Sequence, residues 1–330
     1  MYSLLKPLFF ALDAETAHEI ALDVIKAVYP ILPQNKQSHP TTVMGLAFKN
    51  SVGLAAGLDK NADYIDALAS LGFGFIEVGT VTPKAQDGNP KPRLFRLPKH
   101  ESIINRMGFN NKGVDYLLRQ VKERNSDVIL GINIGKNLST SVDNALDDYL
   151  IGLNKVYQAA DYITVNISSP NTPGLRSLQN EDALESLLKG IYEESLRLQD
   201  KFAAKTPIAL KIAPDLTAES IAPIADLLVK YKIDALIATN TTLSREEVKG
   251  HVHADQAGGL SGLALQLRSR DILAQFQQCL QNEIPIISAG GIDSVDEAAK
   301  RFELGAQLIQ VYSALIFKGP SLVKQLTAKY

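Results

Sequence analysis

Eight short apolar runs, spread along nearly the whole chain, restrict the fold more than any other feature. They are Val52–Gly57, Phe75–Thr80, Val128–Gly135, Tyr162–Ser168, Ile208–Pro214, Ala235–Asn240, Pro285–Gly291 and Leu308–Ser313. The runs are rich in Ile and Val and mostly unbroken by polar residues. A strand with one wet face alternates; a strand covered on both faces does not, so these runs read as parallel strands beneath helices. Helical patterns lie between them. Asp63–Leu71 places apolar residues at 65, 68 and 71, and Ile221–Val229 places them at 221, 224, 225 and 228. Asp293 or Ser294 can cap a helix that begins near Val295. Alternating β and α elements give a parallel sheet. Eight such strands predict a closed (β/α)8 TIM barrel, of the α/β class. An open doubly wound sheet would carry G-x-G-x-x-G after its first strand, and Gly53–Gly57 lacks that spacing.

Of the 330 residues, 45% are hydrophobic. That is enough for one large core, and barrels of roughly 250 residues are commonly single domains. We expect the barrel over residues 42–330, preceded by a separate segment over 1–41. The 34 Lys and Arg nearly cancel 36 Asp and Glu. No basic stripe marks a nucleic-acid partner, so none is expected. The lone Cys279 excludes an internal disulfide and fits a reducing cytoplasm. It lies in a Gln-rich helical stretch with no His nearby and reads as a structural thiol. No apolar run reaches the roughly 18 residues of a membrane-spanning helix. Met1–Leu12 is apolar but carries Lys6 and Pro7, and acidic Asp13 and Glu15 follow it. That pattern predicts no secretory signal.

Two parts fall outside the barrel repeat. Val43–Lys49 predicts a small hairpin ahead of the first strand. In the N-terminal segment, Leu4, Leu5, Leu8 and Leu12 lie at helical spacing. After Asp13, a natural N-cap, come Ala17, Ile20, Ala21, Val24, Ile25 and Val28. The pattern predicts two amphipathic helices ending near Pro30–Pro33, then a polar linker over Gln34–Thr41. Periodicity alone favours a helical lid on the barrel; a membrane-surface hairpin with an apolar entrance is the sharper alternative.

Catalytic groups in such barrels come from the C-terminal ends of the strands. The residues collected there include Ala56, Gly57, Leu58, Asp59 and Lys60 after the first strand and Thr80 after the second. Asn133, Asn166 and Lys211 lie in the third, fourth and fifth strands; Thr239, Asn240 and Thr241 follow the sixth. Lys211 interrupts an apolar strand. A solvated, frayed strand end is one reading, but its close apolar flanks favour burial, and lysine is almost never buried without a partner. Pointing into the mouth, it could neutralise an anionic ring or a phosphate. Asn105, Asn133, Asn166, Asn171 and Asn240 each offer donors and acceptors, the mixed set a heterocycle edge needs. Gly290-Gly291, Tyr312-Ser313 and Gly258–Gly262 fit a phosphate cradle, which such barrels often place after strands seven and eight. A glycine pair alone would also suit an ordinary turn.

The loop from Asn166 to Gly174 is the sharpest feature. Pro170 and Pro173 stiffen it around Ser168 and Ser169. An ordinary turn can have the same composition, and the residues alone leave the role of the serines open. No G-x-S-x-G elbow and no His/Cys metal pattern is present. His251-Val252-His253 has no third ligand nearby in sequence and reads as a solvated loop.

The motifs as a group resemble the dihydroorotate dehydrogenases, in particular their quinone-dependent, membrane-associated class 2 branch. The resemblance covers essentially the whole chain. It rests on Gly53–Lys60, Glu77–Pro83, Asn105–Asn111, Asn133–Asn137, Asn166–Arg176, Lys211–Asp215, Ala238–Thr242, Gly258–Gly262 and Gly290–Ile292. It implies bound FMN and oxidation of (S)-dihydroorotate to orotate in pyrimidine synthesis. By that likeness FMN lies near Ala56, Gly57, Leu58, Asp59, Lys60, Thr80, Asn133, Asn166, Lys211, Thr239, Gly262, Gly291, Tyr312 and Ser313. The substrate lies against Lys60, Asn105, Arg106, Met107, Gly108, Phe109, Asn166, Asn171, Asn240 and Thr241. Ser169 matches the family's catalytic base, which takes the C5 proton while hydride leaves C6 for the flavin; class 1 relatives carry cysteine there. The likeness also turns the N-terminal helices into a membrane-docking element with a quinone tunnel, lined by His18, Arg96 and Tyr312. It implies peripheral attachment to the cytoplasmic face of the cell's inner membrane, and we expect a monomer without a bound metal. The competing readings are another FMN barrel reductase acting on a related pyrimidine, a flavin-free barrel lyase or isomerase that binds phosphate, and a non-catalytic binding barrel.

Overall fold

The structure, a computed structural model, describes residues 2–31 and 37–330. The expected linker over 34–41 and the residues that close the second helix lie partly outside the described residues. In chain order, helices α1 (Tyr2–Ala11) and α2 (Ala14–Val28) are followed by a hairpin of β1 (Thr41–Val43) and β2 (Leu46–Phe48). Each apolar run then holds one strand of the barrel, with three further strands inserted. These are β3 (Val52–Leu54), β4 (Phe75–Val81), β5 (Leu94–Leu97), β6 (Ser102–Asn105), β7 (Ile129–Ile134), β8 (Tyr162–Asn166), β9 (Ile208–Ile212), β10 (Ala235–Ala238), β11 (Gly259–Gly262), β12 (Ile286–Ala289) and β13 (Ala306–Val311). The barrel closes in the order β10-β12-β13-β3-β4-β7-β8-β9, with all pairs parallel.

The helices form where periodicity places them. Asp63–Leu71 holds a helix over Ile65–Ala69, and Ile221–Val229 holds one over Ala218–Lys230. Ser294, not Asp293, caps the helix Val295–Glu303: its side chain accepts the Glu297 N–H at 3.2 Å. Cys279 departs from the structural reading, because it is free and exposed on the helix Gln266–Leu280. That helix buries Ile272, Leu273, Phe276 and Leu280, and position 279 falls off their stripe.

Parallel strands side by side leave an interior that only side chains can fill. At the hairpin end, Phe48 meets Phe75 edge-on at 5.3 Å between ring centroids, and Phe75 meets Tyr162 at 6.3 Å. Two glycines make room for these rings. A Cβ on Gly53 would stand 2.2 Å from the Phe75 ring, and one on Gly131 would stand 2.2 Å from the Tyr162 ring. One layer up, the interior turns polar around the fully buried Glu77.

The sheet β5-β6-β11 is antiparallel and separate from the barrel. It includes Gly259–Gly262, which the sequence reading treats as loop. Strands of four residues are too short to show a period, and β11 pairs with β6 from more than 150 residues away.

The two N-terminal helices lie against this part of the molecule. Asp13 caps α2 by accepting the Glu15 and Thr16 N–H groups at 3.0 Å. Arg93, buried, donates to Glu15 at 2.8 and 3.1 Å and to the carbonyls of Asp87 and Asn89 at 2.6 and 2.8 Å. Arg96 donates to the carbonyls of Phe9, at 2.9 Å, and Leu12 at the end of α1. Leu4, Leu5, Leu8, Leu12, Ile20 and Val24 stay exposed. No helix among the described residues is long and apolar enough to cross a membrane.

Removing one partner of a buried ion pair strands the other and costs about 3–5 kcal/mol. We therefore expect Glu15→Ala to loosen α1 and α2, seen as faster proteolysis within residues 2–31, while the thermal midpoint of the barrel changes little. Burial pushes the Glu15 carboxyl up, but Arg93 and Lys91 outweigh it and hold the group below the ordinary 4.5. The pair's contribution is thus complete above that value and fades as pH falls through the lowered one. The same proteolysis assay run down the acid range tests this.

Candidate active site

The loops after the barrel strands enclose a cavity at the C-terminal end. Ala56, Gly57, Lys60, Thr80, Asn166, Lys211, Thr239, Gly262, Gly291, Tyr312 and Ser313 line it. So do Asn105, Met107, Gly108, Phe109, Ser169, Asn171, Asn240 and Thr241. Leu58, Asp59, Asn133 and Arg106 stand outside that lining. Leu58 packs into the core. Asp59 accepts the N–H groups of Asp63 and Tyr64 at 2.9 and 2.8 Å, and burial pushes its carboxyl up to about 6. Arg106 turns its guanidinium to Gln256 and the Pro92 carbonyl at 2.8 and 2.7 Å.

One side of the cavity is a web of amides and hydroxyls. Thr80 donates to Asn133 Oδ1 at 2.6 Å, and Asn166 donates to Thr80 Oγ1 at 2.9 Å and to Asn133 Oδ1 at 3.2 Å. Asn133 therefore orders the lining from behind. Ser168 donates to Asn166 Oδ1 at 3.1 Å, and Asn240 donates to Ser168 Oγ at 3.1 Å. Asn171 donates its side-chain amide to Asn105 at 3.1 Å and its backbone N–H to Ser169 Oγ at 3.2 Å. Ser169 is buried, and among the described residues its hydroxyl proton has no protein acceptor. Thr241 Oγ1 is buried without a hydrogen-bond partner.

The other side is built from glycines. Gly262, Gly290 and Gly291 all have positive φ, at 90°, 104° and 73°. A Cβ on Gly262 would lie 2.3 Å from the Glu101 carbonyl oxygen, and one on Gly291 2.4 Å from the Gln266 Cα. Close chain packing thus requires glycine here whatever binds. Arg301, fully buried, donates to the Gly290 and Gln266 carbonyls at 2.8 and 3.0 Å and to Glu297 at 2.7 Å. It draws the Gly290 carbonyl into the protein.

Positive charge is concentrated at two points. Burial pushes the Lys60 ammonium down to about 8, although Glu15 opposes this. Lys211 is buried in the floor, with Glu77 Oε1 4.0 Å from its Nζ. His18, on α2, is pushed down to about 3 by burial and by the charge of Lys60, so it is neutral. Tyr312 lines the cavity and donates to the Gly57 carbonyl at 3.3 Å, and burial pushes its hydroxyl up to about 12. His18 and Arg96 stand on the α1/α2 side and not in the cavity lining.

Sequence reasoning does not single out Glu77, Gln310, Arg176 or Arg301. For Glu77 the signal is present: a carboxylate inside an apolar run, as unusual as the lysine at 211. Arg176 shows no such mark. It donates to the Ser168 carbonyl at 3.0 Å, the Thr241 carbonyl at 2.7 Å and Asp215 at 2.8 Å, tying three mouth loops together. The histidines also differ from expectation, because folding brings the His100 ring to 5.6 Å from His251, itself 5.6 Å from His253. Even so, no group among the described residues could hold a metal ion.

Fold and site together define a barrel enzyme whose chamber pairs a web of amides and hydroxyls with a glycine-lined recess. A family profile described as dihydroorotate dehydrogenase matches residues 39–329, and the chain belongs to that family of oxidoreductases. It is 55% identical to the dihydroorotate dehydrogenase (quinone) of Pasteurella multocida, over 99% of this chain and 98% of that one. It is 54% identical to the protein of the same name in Saccharophagus degradans, over 98% and 97% of the two chains. In structure it is similar to Eimeria tenella DHODH solved in complex with ferulenol. The TM-score there is 0.88 at 37% identity, covering 95% of this chain and 89% of that one.

Arg176→Met removes three charge-assisted bonds. Leaving such partners unmade costs about 1–3 kcal/mol. We expect faster amide hydrogen exchange in residues 168–174 and 241–243, with the barrel strands still protected.

Proposed function

We propose that this enzyme oxidises (S)-dihydroorotate to orotate, a step of pyrimidine synthesis, using bound FMN and a membrane quinone as final acceptor. The observation that carries the reading is the chamber itself. A buried serine with its hydroxyl proton uncommitted sits among amides that both donate and accept, with two lysines lining the same cavity. The curated relatives named for quinone support the acceptor.

The residues fit FMN. Lys211 points an ammonium into the cavity with only a carboxylate at 4.0 Å to balance it, which suits the electron-rich edge of a flavin. Gly262, Gly290, Gly291 and Ser313 suit the phosphate, because bare backbone and a hydroxyl can approach it closely. Thr80 and Asn166 would hold the ring's polar edge. When bound, FMN would supply the acceptor for the hydride leaving C6 of the substrate and the redox link to quinone.

The chain's own residues do the rest. Asn105, Asn171 and Asn240 read the pyrimidine ring, and Thr241 offers the hydroxyl that is left without a partner. Ser169 takes the C5 proton. Serine is a weak base, so the anion developing on the substrate needs support, and Lys60 is the cation lining the cavity for it. The Asn171 N–H on Ser169 Oγ holds that oxygen in place. The proton then leaves along the same loop, where Thr172 is buried. The exposed apolar faces of α1 and α2 dock on the cytoplasmic face of the cell membrane without spanning it. His18, Arg96 and Tyr312 mark the route from that surface to the cavity.

Ser169→Ala should keep FMN bound yet slow flavin reduction by dihydroorotate by about 10²–10⁴-fold, the usual contribution of a general base. Stopped-flow absorbance reads this directly, and reduction at the full rate would remove the assignment. Deleting residues 1–33 should impair quinone reduction far more than flavin reduction, measured as separate half-reactions. Equal loss in both would argue against the tunnel. An assay offering quinone, fumarate and NAD⁺ in parallel tests the acceptor.

A further inference from the structure

We propose that Glu77 is a positioning residue whose carboxylate keeps Lys211 charged and centred in the barrel, and so sets the charge of the cavity floor. The inference rests on the FMN reading for its catalytic consequence but not for the pairing itself.

Glu77 lies on β4 with no exposed surface. Three polar groups reach its carboxylate. Asn133 Nδ2 reaches Oε1 at 2.8 Å, Tyr162 OH reaches Oε2 at 3.0 Å, and Gln310 Nε2 reaches Oε2 at 2.8 Å. The Asn133 amide cannot flip to offer its oxygen, because that oxygen already receives Thr80 and Asn166. The fixed Asn133 donor, with Tyr162 and Gln310 facing the other oxygen, is a set that suits a carboxylate. The fourth neighbour is Lys211 Nζ, 4.0 Å from Oε1.

Among the described residues, Glu77 is the one anion paired with Lys211. Its register neighbours are Asn166 on β8 and Ile237 on β10, both uncharged. Of the titratable groups that share this interior, Tyr162 is itself committed to Glu77, and burial together with the Glu77 charge pushes its hydroxyl well above its ordinary value. Lys60 lines the same cavity and can only oppose a second positive charge. Burial pushes the Lys211 ammonium down from its ordinary value, and the charge of Glu77 is what pulls it back up.

The same carboxylate acts on the substrate side. Through Asn133 it fixes the amide that orders Thr80 and Asn166, and Asn166 lines the cavity beside Ser168 and Asn240. One buried charge therefore connects the residue facing the flavin with the amide web that reads the ring.

The test is a cycle of Glu77→Gln, Lys211→Met and the double variant. In the apoprotein, Glu77→Gln strands a buried lysine and Lys211→Met strands a buried carboxylate. The double variant should therefore be more stable in urea than the sum of the two losses predicts. Additive losses would overturn the pairing, and this arm needs no flavin. In the FMN-loaded enzyme, Glu77→Gln should slow flavin reduction by about tenfold at alkaline pH, the effect of roughly one lost unit of proton affinity. Relative to the parent enzyme, the rate should recover as pH falls and Lys211 regains its proton. A ratio that does not change with pH would overturn the charge role. Glu77→Asp guards against a simple folding defect, because it retains the carboxylate and should keep the parental pH profile. If it instead follows Glu77→Gln in pH dependence, the proposal fails. Coupling in the apoprotein combined with a parent chain that binds no FMN would uphold the pairing and overturn the flavin reading alone.

Discussion

Closure of the eight-stranded ladder is the constraint on which the rest depends. A parallel sheet has two edges of unpaired backbone, and closing it removes both. Closure then creates a second requirement, an interior that side chains must fill. Here the two ends are filled differently. The hairpin end is dry, with Phe48, Phe75 and Tyr162 interlocked and Gly53 and Gly131 cut back to admit them. The opposite end is left open as the chamber. Between them lies the Glu77 layer, which ends the apolar core and begins the polar site. Tyr162 belongs to both, with its ring in the aromatic layer and its hydroxyl on the carboxylate.

The chamber is made from loops, and loops need bracing if they are to hold atoms in place. Two buried or half-buried arginines do this. Arg176 joins the Ser168 and Thr241 carbonyls to Asp215, so one side chain links the loops after β8, β9 and β10. Arg301 holds the glycine turn after β12 against the helix that starts at Gln266. Neither side chain lines the cavity. Each pairs with a carboxylate, Asp215 or Glu297, and with two backbone carbonyls.

Polar contacts fasten the N-terminal helices beside Leu22, which joins the core, and Phe10, which meets Phe317 edge-on. Arg93 and Arg96, flanking the start of β5, take Glu15 and the carbonyls at the end of α1. This leaves the leucines of α1 outward, the reverse of a helix that covers a core. It also places α2 over the loop after β3, where His18 and Lys60 come together. One element thus combines a polar fastening to the barrel with an exposed apolar face.

Much of this was legible in the chain. Unbroken Ile and Val runs separated by helical patterns read as two-sided strands, and eight of them fit a closed barrel. Polar residues at their C-terminal ends marked the chamber, and Lys211 betrayed its burial by its apolar flanks. Glu77 carried the same mark inside Phe75–Thr80, and a charge read with equal weight there would have revealed it. Other features left no local trace. The pairing of β6 with β11 joins distant four-residue strands, His100 meets His251 across the same separation, and Arg176 and Arg301 look like any surface arginine in sequence. Asp59 and Asn133 sit within the motif but turn their side chains to the Asp63 and Tyr64 N–H groups and to Glu77. Periodicity and composition report which faces of an element are buried, because burial follows the repeat of the backbone. Which partner meets a buried polar group depends on closure of the ladder and on contacts between distant segments, and those exist only once the barrel has formed.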